Sequence, residues 1–581
     1  MASVTDLITL ENFKAKMPRW KADLPNHLYA VVDMGSNGIR FSISDLSPPQ
    51  ARLLRCVYRE RAGISLFDAL NSSPSSGPLK FPPEIITQVS HTLARFKSIA
   101  DAYGVLPEHI SVFATEAMRK AENAASMLDA IRSFSGLGVH VLVPEVETLF
   151  GAMGARSGFA DVKGLFLDLG GGSVQMTYMD SAVDGYEVTA AQSGESMPFG
   201  AARLIKLLDS GEAAAATAKS DLLAGMRSAF AKLQQKFPSL KTSESSGNDG
   251  IDVYLCGGGF RGYGNMLMHN DPIQPYPIPG IGAYTVTGSF FRQTKKMLNV
   301  NKEHGEKIFG MSKRRRQQFP AIATVVQSFT DVVPNVRTVT FCSGGNREGA
   351  LLLKLPKEVM DTQPLTLLHQ PGDKSSDIVI QSVIDTILSS VPTEFDPSKI
   401  STIFTLGLGP LFIGKIWGRS GEASDANSAY ELHQAITRDP SVPGFTHLAR
   451  AVLGLTLCAR WGSTLGPIDK HLYNSLRGLA FEDSPEANFW ADYFGAVASV
   501  IATVCPAEPK RPYALEEVIK FTAKLTDGKK RPRIELTISL SADAAKGLDV
   551  EDLASTFQSV GKYKKDATTV DRKVEVAVVL R

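Results

Sequence analysis

Cysteine is scarce in this chain. Its 581 residues include five, Cys56, Cys256, Cys342, Cys458 and Cys505, odd in number and scattered without metal spacing. That excludes a disulfide scaffold or a zinc module and predicts reduced core or loop residues of an intracellular protein. Net charge is nearly absent too, with 62 basic residues against 60 acidic ones, so no global field recruits nucleic acid. Long apolar runs are missing as well. The longest, YFGAVASVIATVC from Tyr493 to Cys505, falls short of the ~20 residues a bilayer requires and predicts a buried helix. The start, MASVTDLITLENFKAKMPRW, spreads its charges and has no apolar core, unlike a secretory signal. These absences predict a cytoplasmic protein with no nucleic-acid or membrane partner.

What is present is a repeated loop. LFLDLGGGSVQM, Leu165 to Met176, runs an apolar strand into an aspartate and three glycines. Glycine has no Cβ, so a ligand can approach its amides directly. YAVVDMGSNGIRFSISDL, Tyr29 to Leu46, repeats the scheme, taking Asp33 to Asp168. Each copy reads as strand, turn, strand, with the aspartate near the end of the first strand. Two facing loops of this kind could hold a phosphate chain between them.

Further blocks follow in order: FATEAMRKAEN (Phe113 to Asn123), VHVLVPEVETLFGAMGA (Val139 to Ala155), SMPFGAARL (Ser196 to Leu204), CGGGFRGYGNM (Cys256 to Met266) and SGGNREGALL (Ser343 to Leu352). Together with the paired loops they resemble the exopolyphosphatase and guanosine pentaphosphate phosphohydrolase family, Ppx/GppA, of the actin, sugar kinase and Hsp70 superfamily. The overall layout narrows the resemblance to fungal members that carry mitochondrial stress signals to the nucleus. The fold implied is α/β: two ribonuclease H-like lobes of the actin/Hsp70 type around a phosphate-binding cleft, then a helical domain and a small α/β C-terminal unit. The expected division is an N-terminal extension (1–27), lobe I (28–155), lobe II (156–364), the helical domain (365–506) and the end unit (507–581). In the last part RIELTISLS and KVEVAVVL alternate like strands, while DVEDLASTFQSVG is spaced like a helix. NSSPSSGP (71–78), KTSESSGNDG (241–250) and DPIQPYPIPG (271–280) read as surface excursions, and QPLTLLHQPGDKSS as the domain boundary.

Phosphoryl transfer needs amide donors, a divalent cation and an oriented water. Gly35, Ser36 and Asn37 offer donors on one side, and Gly170, Gly171, Gly172 and Ser173 on the other. Asp33 and Asp168 could hold Mg²⁺, a hard cation that prefers oxygen and keeps several waters. The resemblance makes Glu147 the general base, adds Arg40 and Arg119 as basic positions, and brings the Gly257–Gly258 loop towards a nucleoside. The run KRRR, Lys313 to Arg316, reads as a solvated helix face.

Departures from the family weigh against fast chemistry. Gln175 stands where the enzymes carry glutamate; it can bond a water or phosphate but has no charge. Val146 replaces the first of two glutamates, Gly38 a frequent serine and Gly259 a frequent threonine. No histidine is followed by aspartate, so the metal-anchoring pair of the long bacterial enzymes is missing, leaving His433, His447 and His471 as solitary candidates. Two readings result. One is a regulator that binds ATP or another phosphate chain and engages a protein partner; the other is a Mg²⁺-dependent hydrolase removing terminal phosphates from polyphosphate or a guanosine polyphosphate. The layout is compatible with a homodimer.

Overall fold

The computed structural model describes residues 6–17, 19–72, 79–241, 250–368, 374–395, 402–419, 424–438, 442–527, 531–561 and 570–581. Most of NSSPSSGP and KTSESSGNDG, and part of the expected boundary segment, lie outside them. The chain forms two units: Met1–Asn270 with Ile281–Thr362 and Ser441–Pro443, and Asp271–Gly280 with Gln363–Pro440 and Gly444–Arg581.

The first unit is built on two six-stranded sheets of matching order. In the first, β1 (Leu7–Ile8), β2 (Leu28–Gly35), β3 (Gly38–Asp45), β4 (Arg55–Ala62), β5 (Ile110–Ala114) and β6 (His140–Leu142) lie as β1-β6-β5-β2-β3-β4. In the second, β7 (Lys163–Leu169), β8 (Val174–Asp180), β9 (Glu195–Met197), β10 (Ile251–Cys256), β11 (Tyr284–Thr287) and β12 (Val336–Phe341) lie as β11-β12-β10-β7-β8-β9. Each sheet is an antiparallel meander whose first strand continues into a parallel pair, β2 beside β5 and β7 beside β10. This is the ribonuclease H-like order, present twice, and the two-lobed α/β fold read from the sequence holds. β2 is buried on both faces from Tyr29 to Met34, as a strand covered on both sides must be. β1 pairs with β6, and Ile8, Phe13 and Met17 enter the same core as Tyr29 and Phe150; the N-terminal segment therefore closes the first sheet's edge.

Helices position the lobes: α1 (Glu116–Lys120), α2 (Pro144–Arg156), α3 (Ala201–Leu208), α4 (Gly257–His269), α5 (Lys313–Val332) and α6 (Asn346–Leu352). α2 and α6 touch backbone to backbone. A Cβ on Gly154 would overlap the carbonyl of Gly345, and one on Gly349 the carbonyl of Phe150. Glycine on both helices is what allows this approach.

In the second unit, α7 (Gly409–Ile416), α8 (Ser424–Thr437), α9 (His447–Arg460), α10 (Pro467–Asp483) and α11 (Pro485–Val504) form the helical part. The apolar run at Tyr493 lies in α11 and is buried almost throughout, as expected. Among the described residues no helix is long and apolar enough to cross a membrane. The end unit has β13 (Ile519–Asp527), β14 (Pro532–Leu540), the short helix α12 (Val550–Ser555) and β15 (Lys573–Leu580), in sheet order β13-β14-β15. Both expected strands and the helix are present; β13 is an addition.

One expectation needs correction. DPIQPYPIPG is no surface excursion of a lobe, because it belongs to the second unit. Ile278 is buried against Leu432, Leu455 and Leu476, and the hydroxyl of Tyr276 lies 2.7 Å from His447 Nδ1. Its prolines suggested a loop, but its three large apolar side chains decide its burial.

Candidate functional site

The first unit holds a cleft of about 630 Å³, and fourteen of the residues proposed from the sequence line it: Asp33, Gly35, Ser36, Asn37, Arg40, Glu147, Asp168, Gly170, Gly171, Gly172, Ser173, Gln175, Gly257 and Gly258. The strand order explains the convergence. Asp33 nears the end of β2, Asp168 that of β7, and each strand turns immediately into its hairpin loop.

In both loops the carbonyls are tied down and the amides are left open. Ser36 O accepts from Phe67 N and Ser65 Oγ, and Asn37 O from Arg61. Gly170 O accepts from Ala201 N, Gly171 O from Ala202 N and Arg203 N, and Gly172 O from Gly200 N, so the start of α3 holds the second loop from behind. Among the described residues the amides of Ser36, Asn37, Gly171, Gly172 and Ser173 donate to no protein group. A row of uncommitted amides is an anion site. What already presses on these glycines is the opposite lobe: a Cβ on Gly171 would come within 2.6 Å of the Asn37 side chain, and one on Gly172 would overlap the Glu116 carboxylate.

Three carboxylates share the cleft floor. Burial pushes Asp33 and Asp168 upward in pKa, with Arg40 partly offsetting it in both, Arg347 aiding at Asp33 and Arg261 at Asp168. Glu147 is pushed up to about 7 by burial, opposed by Arg119, with Asp33 and Asp168 adding to the rise. Arg40 Nη1 stands 3.9 Å from Asp33 Oδ2, and Asp33 Oδ1 is buried with no hydrogen-bond partner. Arg119 does not line the cleft; its Nη2 donates to Glu147 Oε2 at 2.9 Å, which makes it the base's partner. Gln175 Nε2 donates to Ser173 Oγ at 2.8 Å and Ser196 Oγ at 3.5 Å, so its amide holds the glycine loop.

The sequence reading missed most of the cationic wall. Arg40, Arg59, Arg61, Arg261, Arg314, Arg315 and Arg347 all line the cleft, against Asp33, Glu60, Glu147, Asp168 and Glu348. The KRRR run is not a solvated face. Arg314 Nη2 donates to Asp68 Oδ2 at 2.7 Å, Asn37 Oδ1 at 2.8 Å and Ser65 Oγ at 2.9 Å, and only Lys313 of the four is exposed. Burial lowers the pKa of Arg261 to about 10, with Arg40 and Arg315 adding repulsion. Burial also lowers that of Arg315, aided by Arg40 and Arg61. Guanidinium groups that destabilise one another form a wall that a polyanion would relieve. The signals were in the sequence: Arg261 inside CGGGFRGYG, Arg347 inside SGGNREGALL and the arginine run itself.

Residues 47–358, more than half of the chain, match the Ppx/GppA phosphatase family. The chain belongs to that family. Residues 363–581 match the RTG2 C-terminal domain. Retrograde regulation protein 2 of Saccharomyces cerevisiae is 29% identical over 95% of this chain and 90% of its own length. Exopolyphosphatase 1 of Mycobacterium tuberculosis is 28% identical over 30% of this chain and 47% of its own. Among solved structures, a Ppx/GppA protein from Aquifex aeolicus covers 57% of this chain at 18% identity and TM-score 0.43. An exopolyphosphatase from Cytophaga hutchinsonii covers 55% at 19% identity, also at 0.43.

As a Ppx/GppA protein, the chain invites the question of a metal. Among the described residues no group of three or more His, Cys, Asp or Glu side chains forms a ready metal cage. In the helical part His433 lies 2.8 Å from Asp469 and His447 faces Tyr276. In the cleft, Asp33 and Asp168 with an orphan buried oxygen fit a hard cation that draws its other ligands from water and phosphate.

Proposed function

We propose that this protein is a signalling regulator that binds a phosphate chain, most simply ATP, in its cleft. The movement of its two lobes then exposes or hides a surface for a protein partner in the cytoplasm, as a counterpart of the yeast retrograde regulation protein. The observation that carries this reading is the extent of the similarity to that protein, 95% of the chain across both units, against 30% for the exopolyphosphatase. The cleft supports a binding role: two rows of open amides and seven arginines can grip a chain of phosphates. Glycine-to-backbone contact between α2 and α6 supplies a thin joint about which the lobes can turn.

A Mg²⁺ ion held by Asp33 and Asp168 would neutralise phosphate charge when bound. The chain's own groups orient the ligand. Arg40, beside both aspartates, and Arg261, beside Asp168, would also meet the anion, and Gln175 fixes the glycine loop without adding charge. Slow hydrolysis is the second reading, and Glu147 favours it. A buried carboxylate with a pKa near 7 can take a proton from an attacking water.

Binding of ATP, GTP, guanosine tetraphosphate and long-chain polyphosphate, with phosphate release followed in the same samples, tests the proposal. Tight binding with negligible turnover supports the regulator. Rapid terminal release replaces it with the hydrolase.

A further inference from the structure

The second unit contains a cavity of its own, about 770 Å³, between the C-terminal ends of α7 and α9, one face of α11 and the end of α12. That volume is within the range of small-molecule sites. Two arginines enter it from different helix ends, Arg419 beyond α7 and Arg460 at the end of α9. Each guanidinium lies over an aromatic ring, Arg419 3.9 Å from the centroid of Tyr430 and Arg460 4.0 Å from that of Trp461. Each also commits its Nε, Arg419 to Asn427 Oδ1 at 2.5 Å and Arg460 to Ile416 O at 3.1 Å. Stacking and the Nε bond together fix the plane of each group, which leaves the terminal nitrogens as an oriented fork.

The bland role for Arg460 is to cap the carbonyl end of α7. Capping uses only Nε, and among the described residues its terminal nitrogens make no hydrogen bond. The remaining wall is small and hydroxylated: Ser499 and Thr503 from α11, Ser555, Thr556 and Ser559 around the end of α12, with Ala459, Ala496 and Ala502 leaving the space open. Among the described residues the hydroxyls of Ser499 and Ser559 make no hydrogen bond. Among the described residues the one acidic side chain of the lining, Asp492, is already paired with Arg477 at 2.9 Å. Among the described residues the lining is therefore rich in oriented donors, with two arginines against one carboxylate. Burial lowers the pKa of Arg460 to about 10, so solvent compensates its charge only in part.

We propose that this cavity is a second ligand site, binding a small oxyanion-bearing molecule, a phosphate monoester or a carboxylate, between the forks of Arg419 and Arg460 with Ser499 and Ser559 as neutral donors. It is independent of the cleft and makes the second unit a receiver of a small anionic signal.

Trp417 and Trp461, two of the chain's four tryptophans, line the cavity and report its occupancy. The full chain is titrated with inorganic phosphate in one arm and succinate in the other while tryptophan emission is followed. A saturable change is expected, weakened about tenfold or more in Arg460→Gln and in Arg419→Gln through loss of a charge-assisted bond. Ser499→Phe, which fills the space and keeps both arginines, should abolish it even if an arginine variant folds poorly. Arg40→Gln, which alters only the cleft, should leave it intact. Saturation by phosphate alone, by succinate alone or by both identifies the oxyanion. No saturable change with either probe, a change that survives in Ser499→Phe, or one that disappears in Arg40→Gln would overturn the proposal.

Discussion

Replacing Gln175 by glutamate should convert a binding cleft into a measurable hydrolase. Gln175 stands directly across the strand pair from Asp168, and opposed side chains on antiparallel strands have β-carbons about 5 Å apart. A carboxylate placed there acts on a cation at the two aspartates across roughly that distance, worth ~3 kcal/mol per unit charge at an effective dielectric of about 20. If that interaction is gained mainly as charge develops on the transferred phosphoryl group, the rate rises by about 10²-fold. Ser173 can adapt, because its hydroxyl can turn from accepting the Gln175 amide to donating to a carboxylate. The cost falls on the ligand-free protein, where a fourth carboxylate joins Asp33, Glu147 and Asp168, all already pushed up by burial. Gln175→Glu should therefore lower the melting temperature in chelator and recover it with Mg²⁺. The assay is Mg²⁺-dependent phosphate release from ATP and polyphosphate by the parent, Gln175→Glu and Gln175→Glu/Glu147→Gln. The double variant should fall back to the parent's level. A parent that already turns over briskly, or a double variant as active as the single one, would refute the charge argument.

Asp33→Ala or Asp168→Ala should weaken Mg²⁺-dependent ligand binding without lowering thermal stability, since both carboxylates are buried at a cost to their ionised form; unchanged calorimetric affinity in both would remove them from the site. Asp68→Ala releases Arg314 from its carboxylate partner. Because a partly exposed ion pair is worth about 1 kcal/mol or less, ligand affinity should rise by no more than about fivefold, and a fall would mean that Arg314 serves the closed lobes more than the anion. Any residual hydrolysis should increase as pH rises through about 7, where Glu147 ionises. Its raised pKa also gives the sign for stability: the native state binds this proton more tightly than the unfolded chain, so its contribution is full below the ordinary carboxylate range and lost as pH rises through about 7. A flat release profile from acid to neutral pH would exclude Glu147 as the base. Gly154→Val should destabilise the protein by about 1–3 kcal/mol through overpacking, because the added carbons meet the Gly345 backbone; an unchanged melting curve would show that α2 and α6 can separate freely.

The floor of the cleft was legible because it is local. An aspartate near a strand's end and the amides of the turn that follows belong to one short stretch, and Asp33 and Asp168 each carry that whole pattern. Its roof was not, because Arg59, Arg61, Arg314 and Arg315 sit on β4 and at the start of α5, where charge looks solvated until the strand order brings both elements over the loops. Arg119 shows the reverse: a family position was recognised, but its partner Glu147 lies on another helix, so its role emerged only in three dimensions. The same holds for Ile273, Tyr276 and Ile278, whose prolines signalled a loop while their burial depends on α9 and α10.

The central claim is retention of a phosphate chain without its destruction. A single-turnover experiment addresses it most directly: protein in excess over ATP labelled at the terminal phosphate, with Mg²⁺, separating bound from free label and intact nucleotide from released phosphate. The account predicts label that stays bound and intact over many times the association time, and loss of that retention in Arg40→Gln/Arg315→Gln. Label released promptly as phosphate, or retained equally well by the double variant, would contradict it.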